Sequence, residues 1–212
     1  PGAYDYFRVG QGLAVSESPS GPYKLLKRRE RYSFWNDIEP AFGSALWPDN
    51  DGWLYVYGRY MTEPGRYAAA LARVRPNELS DPAAYYYYSL EPASGVWTKD
   101  LADAAPVMEN MPEEFSVAYN EYLKEYLALY FDAEAGEVAV RSAQYPWGPW
   151  SRRKSALACG KEEYCFGAKE QAAFSAGDGN KIFFTLEKKN MPYFYELTFS
   201  AEGGPAGLFG GK

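Results

Sequence analysis

The sequence predicts an all-β fold, a β-propeller with blades of four antiparallel strands. Three observations carry this. One motif occurs twice. Pro19-Ser20-Gly21-Pro22-Tyr23 follows the apolar run Gly12-Leu13-Ala14-Val15, and Pro146-Trp147-Gly148-Pro149-Trp150 follows Glu137-Val138-Ala139-Val140. Two prolines and a glycine in five residues leave the backbone few options, so each copy reads as a turn whose last aromatic opens the next strand. Helical periodicity is scarce, and short β-rich runs are broken by Gly, Pro, Asn and Asp instead. These runs also recur in the same order, which is the mark of a repeated unit. A two-sheet sandwich, also rich in short strands, is the competing architecture.

The runs fall into repeats. Residues 41–46 lead through Asp49-Asn50-Asp51-Gly52 to 53–60, then to 68–74, then to 85–90 with Val96-Trp97. Residues 115–119 lead to 126–131, 138–142 and 150–156. Residues 172–175 lead past Gly177-Asp178-Gly179-Asn180 to 182–186 and 193–199. Residues 4–33 hold only outer strands. The count reaches about three and a half blades, whereas closed propellers have four or more. Either residues 4–9 and the tail complete the ring, or an N-terminal portion precedes this chain. No domain boundary stands out over residues 1–200. The Gly-rich residues 201–212 read as a loose terminus or an arm that docks elsewhere.

Composition excludes several functions. The chain has 212 residues and a net charge of -6, which argues against a general nucleic-acid binder. No apolar run reaches the length of a membrane span. The absence of His removes Ser-His-Asp and Cys-His chemistry and most transition-metal sites, so hydrolysis would rest on carboxylates, Tyr, Lys or Arg. No metal or other cofactor is expected. The two cysteines, Cys159 and Cys165, flank Gly160 and suit a small disulfide loop in a secreted protein; a pair of reduced thiols is the alternative. The chain begins Pro1-Gly2-Ala3, as a processed or partial product would. No Asn lies in a glycosylation sequon.

Several stretches resemble a known family. They are Val138-Ala139-Val140-Arg141-Ser142 with the Pro146–Ser151 stretch, Leu71-Ala72-Arg73-Val74 with Trp97 downstream, and Gly167-Ala168-Lys169-Glu170-Gln171. The last precedes Ile182-Phe183-Phe184-Thr185 and Pro192-Tyr193-Phe194-Tyr195-Glu196-Leu197. Together they are similar to the domain-of-unknown-function 4185 family of extracellular five-bladed propellers. That family is related in fold to arabinanase-type glycoside hydrolases, and some members resemble endo-D-arabinanases. The resemblance spans roughly residues 12–199 and implies a secreted protein that acts on, or binds, a polysaccharide. Two features depart from the family: its Glu-His pair reads Glu170-Gln171 here, and its early acidic residue has no counterpart.

Glycoside hydrolysis needs two carboxyls, one protonated as acid and one ionised as base or nucleophile. A Glu stands at the head of each repeat: Glu39, Glu114 and Glu170, with Asp37 beside the first. In a propeller such residues converge at one mouth. The bland alternative is that they cap turns or pair with Lys169 and Arg residues. Trp35, Trp47, Tyr119 and Trp147 lie near strand ends or turns, where a ring can stack on a sugar. Trp53, Trp97 and Trp150 read as core or inter-blade wedges. Tyr85, Tyr86, Tyr87 and Tyr88 read as an outer strand, either a homo-oligomer contact or packing under residues 91–95. Arg28-Arg29-Glu30-Arg31 reads as a solvated outer strand, with anionic-glycan binding as the alternative. Two functions stay open: a carboxylate-dependent hydrolase, or an inactive relative that binds glycan or self-assembles outside the cell.

Overall fold

A computed structural model describes residues 9–28, 30–90, 96–200 and 205–211, the last as backbone. The readings of residues 4–8, Arg29 and 91–95 lie outside the described residues. The chain forms two compact units; Ser44–Trp47 goes with Val107–Lys212, and the rest forms the first unit.

In the first unit, β1 (Gly10–Gly12) and β2 (Ala14–Val15) are followed by β3 (Lys24–Leu25) and β4 (Ser33–Asn36). β1 pairs β4 and β2 pairs β3, both antiparallel, as two-stranded sheets. Next come β5 (Ala41–Pro48), β6 (Leu54–Glu63), β7 (Arg66–Val74), β8 (Tyr86–Tyr88), β9 (Trp97–Thr98) and β10 (Pro106–Glu109). They form a six-stranded sheet ordered β5-β6-β7-β8-β9, with β10 as the sixth strand. One face carries Val56, Ala72, Val74, Tyr85 and Tyr87, packed with Phe34, Trp35 and Phe42. Alternate residues point to opposite faces, so period-two burial selects this set.

The four tyrosines are therefore not an exposed outer strand. β9 lies beyond β8, with Tyr87 opposite Thr98 and Tyr88 opposite Trp97. Tyr85 and Tyr87 enter the core. Tyr86 and Tyr88 make edge contacts with Trp53 and Trp97. The Arg73 guanidinium lies 4.5 Å from the Trp53 ring centre and 4.1 Å from that of Trp97, and Lys99 sits 3.6 Å over Tyr86. Trp53 and Trp97 thus clasp a cation on a half-buried face rather than wedge a core. With all four rings engaged internally, nothing supports the oligomer contact.

The second unit contains two four-stranded blades. β11 (Phe115–Asn120), β12 (Glu125–Asp132), β13 (Glu137–Ala143) and β14 (Lys154–Ala158) form one, in chain order. β15 (Cys165–Glu170), β16 (Lys181–Lys188), β17 (Met191–Phe199) and β18 (Pro205–Gly211) form the other. Leu127, Leu129, Val138 and Val140 of the first cluster with Ile182, Phe184, Leu186 and Leu197 of the second. Full burial of one such side chain contributes about 1.5–3 kcal/mol, so this shared layer fixes the register of both sheets.

Two expectations change here. The innermost strand of the last blade is 165–170, not 172–175, because Ala172–Phe174 is a 3-10 turn. The sequence hides this strand, since Gly167, Lys169 and Glu170 break the apolar alternation. The tail is not loose: β18 pairs β17, with Leu197 opposite Leu208, and completes the blade.

Both Pro-x-Gly-Pro segments connect paired strands, β2 to β3 and β13 to β14. Gly21 (φ 84°) and Gly148 (φ 98°) occupy the left-handed region, and the peptide after each is cis. A Cβ on Gly148 would lie 2.8 Å from the Trp150 nitrogen, and one on Gly21 would lie 3.1 Å from that of Tyr23. The motif needs glycine because the chain doubles back onto the following aromatic. Arg28 and Arg31 instead face each other across a tight turn, Arg28 N donating to Arg31 O at 2.7 Å. Arg28 and Arg31 thus pair with each other rather than with a neighbouring outer strand.

Candidate functional site

Glu170 ends β15 rather than preceding an inner strand, which distinguishes it from Glu39 and Glu114. β15 carries a bulge. Phe166 faces Glu187 and Lys169 faces Thr185, so Gly167 and Ala168 together oppose only Leu186. Gly167 adopts φ 64°, the left-handed conformation that such a bulge demands. The extra residue re-aims everything after it, Glu170 included.

The same glycine makes room for Glu114. A Cβ on Gly167 would fall 2.9 Å from Glu114 Oε2. Glu114 immediately precedes β11, and Ser116, two residues on, reaches the same strand β15. Ser116 Oγ accepts the Glu170 N–H at 2.8 Å and approaches Leu129 O at 3.4 Å. Two of the four acids thus meet at β15, Glu114 at the bulge and Glu170 three residues on. Gln171 Nε2 donates to Thr185 Oγ1 at 3.3 Å beside them.

Glu170 is only partly covered as a residue, yet its Oε2 is fully enclosed and has no hydrogen-bond partner among the described residues. Burial penalises the carboxylate form and pushes the carboxyl up to about 7. Such a group keeps its proton near neutral pH, when an ordinary surface glutamate has lost it.

The other acids differ. Glu39 Oε2 accepts the Asn36 N–H at 2.6 Å, while Asn36 Oδ1 accepts from Ile38 N and Glu39 N at 3.0 Å each. Glu39 therefore closes the turn that leads into β5, and Asp37 is an exposed residue of that turn. Trp35 is 5% exposed and packs against Phe34, Phe42 and Tyr85. It is a core residue, its faces already covered, and not a platform for a sugar. Trp47 is half-buried, with its indole N–H enclosed and without a hydrogen-bond partner among the described residues. Tyr119 packs edge-on to Tyr126. Trp147 stacks flat on the exposed Tyr145, with 6° between the rings. Cys159 and Cys165 form a disulfide that ties the end of β14 to the start of β15. Glu163 joins them in the one cluster of metal-ligating types among the described residues, but both sulfurs are consumed by the bond.

Sequence reasoning missed Ser116, Gly167 and Tyr145. Only Gly167 carried a signal, a glycine inside a strand pattern, which marks a bulge.

Residues 12–195 match the family described as Domain of unknown function (DUF4185). The chain belongs to this family. No curated protein matches it. Among solved structures, this DUF4185 chain is similar to a candidate hydrolase from Bacteroides ovatus. The two share 20% identity over 86% of this chain and 51% of that one, with a TM-score of 0.59. It is also similar to an endo-1,4-beta-xylanase from Bacteroides thetaiotaomicron, at 14% identity over 95% of this chain and 67% of the other, with a TM-score of 0.53. The DUF4185 chain thus spans about half the length of the first and two thirds of the second. At these identities the likeness is one of fold: all-β, a propeller of the five-bladed glycoside-hydrolase type.

Proposed function

We propose that this DUF4185 chain is a secreted, carbohydrate-active propeller, one domain that takes in β18 as well as residues 1–200, and that it cleaves a polysaccharide with Glu170 as general acid. The observation that carries this is the enclosed Glu170 carboxyl, with an unpartnered oxygen and a proton held to about pH 7. The likeness in fold to a xylanase and the disulfide support the polysaccharide and extracellular parts of the reading.

In the reaction, the Glu170 carboxyl gives its proton to the leaving glycosidic oxygen as the bond from the anomeric carbon breaks. Water ends on that carbon and loses a proton to the second carboxylate. Glu114 is the candidate for that role, because it reaches the same strand. Trp47, Tyr119 and Trp147 remain candidate sugar contacts.

A binding-only relative is the second reading. It is favoured by Glu39, whose carboxylate is committed to its own turn. The test is product release from arabinan, xylan and β-1,3-galactan, scanned from pH 4 to 9. The enzyme reading expects release that declines as pH rises through about 7. It also expects Glu170→Gln to lose 100-fold or more in turnover while still binding. Retained turnover in Glu170→Gln removes that residue from the role. Binding without product from any polysaccharide leaves the second reading.

A further inference from the structure

The strongest departure from the acidic character of the chain is the stretch Lys24-Leu25-Leu26-Lys27-Arg28-Arg29-Glu30-Arg31, five cations and one acid in a protein of net charge -6. Arg28 is used internally, donating to Phe34 O. Lys24, Lys27 and Arg31 are exposed. Beside them an open groove of about 550 Å³ is lined by Tyr23, Lys24, Leu25, Leu26, Lys27 and Tyr32.

Two aromatic rings are presented there. Tyr23 is 61% exposed, yet its hydroxyl donates to Pro19 O at 2.8 Å, so the Pro-x-Gly-Pro turn holds the ring in place. Tyr32 is 53% exposed, and Lys27 Nζ lies 5.5 Å over its ring. A ring fixed before binding loses little freedom when a ligand arrives. The acid facing Lys27 is Glu30, 3.3 Å away and 91% exposed. An exposed pair of that kind is worth little, so Lys27 can exchange it for a ligand carboxylate.

The geometry points to this groove as a second carbohydrate site, one that takes an acidic polysaccharide. The tyrosine faces stack on sugar rings and the two lysines meet sugar carboxylates. The identity of the ligand as a polysaccharide rests on the reading above; the anionic character of the ligand rests on the groove alone. A purely electrostatic site would not need the fixed Tyr23 ring, and a purely apolar one would not gather cations.

The probe is polygalacturonate, titrated calorimetrically into the full chain, with neutral arabinan and single-stranded DNA as comparisons. Wild type is expected to bind polygalacturonate at least tenfold more tightly at 50 mM than at 300 mM salt. Lys24→Glu with Lys27→Glu should weaken this tenfold or more. Tyr32→Ala should weaken it several-fold with an unchanged salt dependence. These residues are exposed, so the variants should keep the wild-type circular dichroism. Glu170→Gln should bind polygalacturonate as wild type does, and the double lysine variant should keep any cleavage of neutral polysaccharide. Loss of cleavage with groove binding intact therefore sinks the enzyme reading alone. No binding of polygalacturonate, binding indifferent to the lysines, or equal binding of DNA with indifference to Tyr32 overturns the groove proposal.

Discussion

The two Pro-x-Gly-Pro turns are the same backbone in two settings. In each, the glycine N–H donates to the carbonyl three residues back, Gly21 to Ser18 and Gly148 to Tyr145, both at 2.9 Å. Each glycine has a left-handed φ and each is followed by a cis proline. Their surroundings diverge. The first joins β2 to β3 in a sheet of two strands, and its aromatic, Tyr23, is mostly exposed. The second joins β13 to β14 in a full blade, and its aromatic, Trp150, is half-buried with its indole nitrogen enclosed. Five residues encode the turn; the number of neighbouring strands decides what the aromatic does.

That comparison can be broken most sharply at the glycines. Gly148→Ala should destabilise by about 3 kcal/mol, from left-handed strain plus a contact with the Trp150 nitrogen. Gly21→Ala, with its longer contact and smaller sheet, should cost about half as much. Urea unfolding midpoints compare them, and equal costs would show that the blade adds nothing to the turn.

Glu170 lies in the same unit as the second turn, so its burial reports on that unit. An unfolded glutamate ionises near 4.5 and the native one near 7. Between those values the native state holds more protons, so stability falls as pH climbs. Relative to Glu170→Gln, wild type should lose up to about 3 kcal/mol between pH 4.5 and pH 8 and differ little in slope below 4.5. Parallel pH profiles of the two proteins would place the carboxyl in water.

Cys159→Ser should cost about 2 kcal/mol, the loop-closure value for so short a loop, read as a drop in unfolding midpoint without reductant. Trp150→Ala should cost about 2 kcal/mol, as expected for a half-buried ring. The smallest effect belongs to Tyr23→Ala, within about 0.5 kcal/mol because the ring is exposed. A Tyr23→Ala loss comparable to that of Trp150→Ala would erase the distinction between the turns.

Local chemistry was legible in the sequence and pairing over distance was not. The turn glycines, the β-rich runs 126–131 and 182–186, and the cysteine pair are each defined by nearby residues. Trp35 was misread because Phe42 and Tyr85, which cover it, arrive from other strands. The tyrosine run was misread because its partner strand, β9, begins only at Trp97. Glu170 was singled out on a mistaken equivalence with Glu39 and Glu114. Its enclosure depends on a bulge and on β11, and neither is visible in Gly-Ala-Lys-Glu alone.

The bond between Cys159 and Cys165 encloses Gly160–Tyr164, a stretch in which Lys161 and Tyr164 face solvent. A protease that nicks the backbone after Lys161 cuts inside a covalent clasp. The halves on either side, one ending with β14 and one beginning with β15, stay joined through sulfur, and the nick separates them only once a reductant opens the bond. Outside a reducing compartment, a cut at this exposed point of the loop leaves the two blades tethered.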